Sequence, residues 1–332
     1  MDPVLDVVGV GNAIVDVIAS VDDSFIGDHD LVKGAMTLVS AERSAEMYDA
    51  MPPGVAASGG SAANTMAGVA SFGGRAAFIG KVRDDQLGEV FIHDIRATGV
   101  SFDVPPAPDG PATARCLVQV TPDAERTMNT YLGTAALLGP PDVDTDLVAS
   151  AGITYCEGYL WDVQVAKDAI RVAMAAAASA GRTVALALSD SFCVQRHRDE
   201  WLDLIEDRVD VIFANEAEVC ALHPADDFDT ALRRTAAMAR TVAVTRGAGG
   251  SVAVRGSESA TVPAAEIPAV VDATGAGDLY AAGFLWGLAR GASLIRCAAL
   301  GNLAAAEVIS HVGARPKTPL SQLAASAGLA WR

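Results

Sequence analysis

The chain is predicted to fold as an α/β protein with a mostly parallel central sheet and helices on both of its faces. Two patterns predict it. Short apolar runs alternate with stretches of helical period along most of the 332 residues, which is the signature of βαβ units. One run, GRTVALALSD (181–190), is almost continuously apolar, as a strand buried on both faces should be. Composition agrees, because 51% hydrophobic and 20% charged residues allow a large core and argue against disorder.

Taken in order, the strands are expected in VLDVVGVG (4–11), AAFIGKV (76–82), GITYCEG (152–158), TVALALS (183–189), VDVIFAN (209–215) and TVAVTRG (241–247). A further strand-like run, IPAVV (267–271), leads into Asp272. Helices are expected in SAANTMAGVASFG (61–73), DQLGEVFIHDIRATG (85–99), VQVAKDAIRVAMAAAASAG (163–181), EAEVCAL (216–222), DTALRRTAAMAR (229–240) and LYAAGFLWGL (279–288). The alanine run at 176–180 needs no explanation beyond helix propensity. Ligands of such sheets bind beyond the carboxyl ends of the strands, so residues directly after a strand are the ones to weigh.

Residues 15–40 and 103–130 break the alternation. They hold strand-like pieces punctuated by Pro, Gly and Asp, and CLVQVTPDAERTMNT (116–130) reads as a hairpin. They are expected to pair as a small antiparallel sheet, a lid, over a core made of residues 1–14, 41–102 and 131–332.

Several function classes drop out. A net charge of −17 without a basic stripe argues against nucleic-acid binding. No apolar run approaches the length needed to span a bilayer, and MDPVLDVVGVG reads as a first strand, not a signal peptide. Five scattered cysteines without a C-x-x-C pair point to reduced thiols and a cytoplasmic location. GRAAFIGKV lacks P-loop spacing, and GVGNAI (9–14) lacks the third glycine of a dinucleotide fingerprint. No zinc signature or hydrolase elbow is present.

The segment VVDATGAGDLYAAGFLWGL (270–288) is different. Gly275, Ala276 and Gly277 can set backbone N–H groups close together at a helix start, where the helix dipole also favours an anion. Asp278 follows in the first turn. It is either a helix-capping acid or a base that takes the proton of a hydroxyl attacking a phosphoryl group. A loop that only bound anions would have no use for an acid there.

DATGAGDLYAAGF resembles the C-terminal signature of the PfkB carbohydrate kinase family, which includes ribokinase and adenosine kinase. SGGSAANTMAGVASFGGRAAFIGKVRDDQLG (58–88) resembles its N-terminal signature, NEAE (215–218) its N-x-x-E motif, and TRGAGG (245–250) its nucleotide loop. These stand in family order along nearly the whole chain. Ala273 after Asp272 and Tyr280 in place of a frequent Phe are small departures.

The resemblance implies a ribokinase-like three-layer α/β/α sandwich with a β lid, and an ATP- and Mg2+-dependent small-molecule kinase. It implies Asp278 as catalytic base and the Gly275, Ala276 and Gly277 amides as an anion hole. Asn215 and Glu218 would organise phosphates and Mg2+ through water, although NEAE also reads as a helix N-cap. Thr245, Arg246, Gly247, Gly250 and Asn302 would lie along ATP. Asp272 and Thr274, with backbone near Gly313, resemble a monovalent-cation (K+) site. Asp16, Gly59, Gly60 and Asn64 would hold the acceptor, with Arg126 and Asn129 closing over it from the lid and Met36 near an apolar part of it.

Gly59-Gly60-Ser61-Ala62-Ala63-Asn64 is closer to the adenosine kinase-like subgroup than to ribokinase-like members, which implies a nucleoside acceptor phosphorylated on its 5′-hydroxyl. The alternatives are a free sugar (ribose, fructose or 2-keto-3-deoxygluconate), a non-catalytic nucleotide- or sugar-binding protein on the same scaffold, and an oxidoreductase built around GVGNAI. Lid strands in this family can pair between subunits, so a homodimer through the lid is a further expectation.

Overall fold

The computed structural model describes residues 3–123 and 125–331. Its strands are β1 (Leu5–Val10), β2 (Ile14–Ser20), β3 (Met36–Leu38), β4 (Val55–Gly59), β5 (Ala76–Ile79), β6 (Ala114–Val120) and β7 (Arg126–Tyr131). They continue as β8 (Ala151–Glu157), β9 (Thr183–Ala187), β10 (Val211–Asn215), β11 (Thr241–Thr245), β12 (Ser251–Arg255) and β13 (Glu258–Val262). The larger sheet runs β13-β12-β11-β10-β9-β8-β1-β5. It is parallel from β5 to β11, while β12 and β13 add an antiparallel edge.

Side chains alternate across this sheet with the two-residue period of a strand. Val7, Tyr155 and Phe213 enter the core beneath the helices at 61–71, 86–97, 276–289 and 294–308. Their neighbours Val8, Cys156 and Ile212 enter the opposite core, under the helices at 164–179, 198–208 and 228–238. Two cores on one sheet make the α/β/α sandwich that the run GRTVALALSD pointed to. Among the described residues, no helix is long and apolar enough to cross a membrane.

The smaller sheet runs β3-β7-β6-β2-β4. It is mixed, not antiparallel throughout, because β2 pairs with β6 and β3 with β7 in parallel. Both parallel pairs join the two lid segments, which lie far apart in the chain. Its edge strand β4 comes from residues 41–102, a stretch expected to be core throughout; it pairs antiparallel with β2. IPAVV is not a strand. It lies in the connection from β13 to the helix Ala276–Ala289, interrupted by Pro263 and Pro268, and Val270 and Val271 are exposed. A proline has no amide to give a sheet.

The helix Ala276–Ala289 is buried nearly all round, from Leu279 to Gly287, so it shows no amphipathic stripe. Close crossings explain this. A Cβ on Gly283 would lie 2.4 Å from the Leu300 carbonyl oxygen, and one on Gly68 would lie 2.5 Å from the Ala282 Cβ. Gly283→Ala would gain about 1 kcal/mol of helix propensity, but the obstacle is backbone, which cannot swing aside. Overpacking costs about 1–3 kcal/mol, so this variant is expected to lower the urea midpoint with an unchanged m-value.

Candidate active site

The carboxyl ends of β1, β8, β9, β10 and β11 open into a cleft of about 670 Å³, roofed by the smaller sheet. Two helices begin at its centre, Ser61–Ser71 and Ala276–Ala289. Each starts after a glycine with positive φ. Gly60 has φ 96°, and a Cβ there would sit 2.2 Å from the Asn12 carbonyl oxygen. Gly275 has φ 80°, and its Cβ would crowd Ala314 at 2.9 Å. A side chain at either position would be strained and would clash.

Asp278 lies where these helix starts meet. Its Oδ1 accepts from Ser61 Oγ at 2.6 Å and its Oδ2 from Asn64 Nδ2 at 3.0 Å. Burial pushes its pKa above the usual carboxylate range, while these hydrogen bonds and the Arg315 charge pull it back. One residue earlier, the Gly277 amide has no acceptor among the described residues, as expected in a first helical turn. A carboxylate and free amides thus share one helix start.

On the roof side, Asp16 projects from β2. A Cβ on Gly59 would lie 2.4 Å from its carboxylate, so the glycine pair is what lets this acid lie against the backbone. Burial pushes the Asp16 pKa up to about 6, against the pull of Arg315 and Arg126. Arg126, on β7, reaches down to the turn before the helix: its Nη1 lies 2.8 Å from Thr274 Oγ1 and 2.7 Å from Asp272 Oδ2.

Asp272, Thr274 and Gly313 do come together, but not as an oxygen cage. The Asp272 carboxylate accepts from the Thr274 amide, the Gly313 amide and Arg126. Those partners are N–H donors and a guanidinium, so the Asp272 carboxylate is already neutralised by Arg126.

At the carboxyl end of β10, Asn215 caps the helix Glu216–Leu222 in a reciprocal capping box with Glu218. Burial pushes the Glu218 pKa up to about 7. Both Glu218 oxygens already accept from Asn215. The described residues hold no cluster of three or more His, Cys, Asp or Glu side chains that could hold a metal ion.

Asn215, Glu218 and Thr245 line the cleft. Arg246, Gly247 and Gly250 form the turn after β11 and do not line it; Arg246 bonds Glu216 and stacks on Phe228. Asn302 is also outside, because its amide holds the Val262 and Pro263 carbonyls.

Asn129 is the clearest departure from expectation. Along β7, Arg126, Met128 and Thr130 face the cleft. Asn129 therefore points to the other face, where it is buried beside Gln119.

Some cleft residues were not picked out from the sequence. Glu157, at the end of β8, accepts from the Asn12 amide, the Asn12 side chain and the Ala62 amide. Both Asn12 and Glu157 follow or end apolar strands, which is the signal that would have found them. Arg315, in the loop after the helix Leu294–Val308, does not line the cleft but bonds Asn64, and it carries no such signal. Met36 and Leu38 are partly exposed on the lid and line the cleft.

Burial raises the Glu157 pKa to about 7 from its ordinary 4.5. A raised folded pKa means the native state binds more protons across pH 4.5–7. Its contribution to stability is therefore full below that window and is lost as pH rises through 7. The Tm advantage of Glu157→Gln over the wild type is expected to grow from pH 5 to pH 8, where the wild type must hold a buried charge. A difference that stays flat with pH would rule this out.

Known proteins share this architecture. A probable sugar kinase from Rhizobium etli is 51% identical, covering 98% of this chain and 99% of that one, with a TM-score of 0.93. An adenosine kinase from Sinorhizobium meliloti is 54% identical, covering 97% and 99%, with a TM-score of 0.92. The adenosine kinase of Saccharomyces cerevisiae is 28% identical over 339 aligned positions, covering 96% of this chain and 98% of its own. The pfkB family carbohydrate kinase model matches residues 36–320. The chain belongs to that family of phosphotransferases, whose acceptors are alcohols.

Proposed function

We propose that this kinase transfers the γ-phosphoryl group of ATP to the primary hydroxyl of a nucleoside, adenosine foremost. The observation that carries it is the Asp278 carboxylate, held by Ser61 and Asn64 beside the free Gly277 amide. Each carboxylate oxygen keeps a lone pair for the acceptor hydroxyl. As the new O–P bond forms, Asp278 takes the hydroxyl proton, the γ-phosphoryl bond to ADP breaks, and ADP leaves. The Gly275 and Gly277 amides meet the charge on the transferred group, while the expected third donor, the Ala276 amide, already bonds the Ala273 carbonyl oxygen at 3.3 Å. Bound with the nucleotide, Mg2+ would neutralise phosphate charge, and Glu218 would hold it through water. Asn215 and Thr245 line the nucleotide end.

The acceptor follows from the two sides of the cleft. Asp16, Asn12 and Asn64 offer hydrogen bonds to ribose hydroxyls, while Met36, Leu38, Val118, Met128 and Leu132 give an apolar surface on the roof side. A flat base suits that surface; a free sugar would leave its hydroxyls facing methionine and leucine. The 54% identity to an adenosine kinase supports the same choice. The similarity to a probable sugar kinase favours a second reading, a free sugar acceptor. Lid closure, with Arg126 joining β7 to the Asp272–Thr274 turn, would keep water from the phosphoryl group. A cytoplasmic location fits five free cysteines.

A coupled ATP-consumption assay over nucleosides, ribose, fructose and 2-keto-3-deoxygluconate tests this. Adenosine is expected to give the highest kcat/KM, without need of K+; turnover with a free sugar alone would replace the nucleoside reading. Asp278→Asn is expected to lower kcat by roughly 10²-fold or more with unchanged circular dichroism. Near-normal turnover in that variant would remove Asp278 as the base. The free lid edges, β3 and β4, are where two copies would pair, and light scattering would then give twice the 34.0 kDa chain mass.

A further inference from the structure

Arg315 has no place in the chemistry above, yet it touches the centre of it. Its Nε donates to Asn64 Oδ1 at 2.8 Å. Its two terminal nitrogens are closed to solvent and have no hydrogen-bond partner among the described residues. A buried guanidinium without a paired carboxylate is costly, and the cost calls for a reason.

The loop that carries it braces the site at three successive residues. The Gly313 amide bonds Asp272 Oδ2, Ala314 packs against Gly275, and Arg315 reaches the helix Ser61–Ser71 at Asn64. A guanidinium only donates, so the Asn64 oxygen must face Arg315, and the Asn64 NH2 must then face Asp278. With the amide reversed, donor would meet donor at Arg315 and oxygen would meet oxygen at Asp278.

Resting on the kinase reading above, we propose that Arg315 is a positioning residue: it locks the Asn64 amide as a hydrogen-bond donor to Asp278 and so holds the base in place before and after it takes the proton. Without Arg315, a protonated Asp278 could turn Asn64 around and donate to its oxygen, leaving the site misset for the next cycle.

The charges around Asp278 support the role. Asp16 on β2 and Glu157 on β8 share its surroundings, with Tyr155 and Tyr159 on the same side and Arg126 across from Asp16. Arg315 is the cation that pulls the Asp278 pKa downward, and with its own pKa lowered by burial to about 10 it stays charged at neutral pH.

The test uses Arg315→Met, Asn64→Ala and the double variant, with Arg315→Lys as the form that keeps the charge but loses the planar fork. If Arg315 acts through Asn64, each single variant lowers kcat about 10-fold or more at unchanged ATP affinity by calorimetry, and Arg315→Met adds little in the Asn64→Ala background. Full additivity, or wild-type turnover in Arg315→Lys, would overturn the proposal.

A second arm needs no activity. Carboxyl 13C NMR, with Asp278 assigned through Asp278→Asn and Asp16 through Asp16→Asn, should show the Asp278 midpoint higher in Arg315→Met than in wild type, and near wild type in Arg315→Lys. An unmoved midpoint in folded Arg315→Met would also overturn it. Should Arg315→Met not fold, Arg315→Lys decides by its turnover. A wild type that consumes no ATP with any acceptor would sink the kinase reading alone, while the NMR arm still decides the role of Arg315.

Discussion

Everything at the site depends on the approach of two helix starts. The helix Ser61–Ser71 crosses Ala276–Ala289 so closely that only glycine fits at position 68. That contact brings Ser61 and Asn64 within hydrogen-bond distance of Asp278. A buried carboxylate without partners would cost several kcal/mol or give up its charge. Here two donors and a nearby arginine offset that cost. The same geometry aims two helix N-termini, with their positive dipole ends, at one space.

The smaller sheet supplies what the larger one cannot. Strand alternation puts Arg126, Met128 and Thr130 toward the cleft and Asn129 away from it. One face of a mixed sheet thus becomes a largely apolar roof, into which Asp16 and Arg126 reach. Arg126 also explains why the Asp272 turn, for all its resemblance to a cation site, has its carboxylate already satisfied. A cation carried on a lid strand makes that turn part of the lid contact.

Much of this was readable beforehand. The apolar runs marked β1, β5 and β8–β11 because a strand buried on both faces needs apolar side chains in both directions. Gly275 stood out as part of a glycine turn at a helix start, and Gly60 through the family resemblance. Misreadings had local causes. IPAVV has strand-like side chains, but it sits in a connection interrupted by prolines. Val55–Gly59 is too small and plain a segment to announce that it pairs with β2. Asn129 was expected over the acceptor because it lies on the second lid segment, and only the register of β7 shows which face it takes.

Local chemistry therefore set the alternating elements, the glycine turns and the acids that follow strands, since each depends on residues a few positions apart. Which of those groups act together was decided by the tertiary fold. Asp278 meets Ser61 across 217 residues, Asn12 meets Glu157 across 145, and Arg315 meets Asn64 across 251. No periodicity or motif spans such distances. The match arises only when the sheet and its crossing helices bring those backbones within a few ångströms of each other.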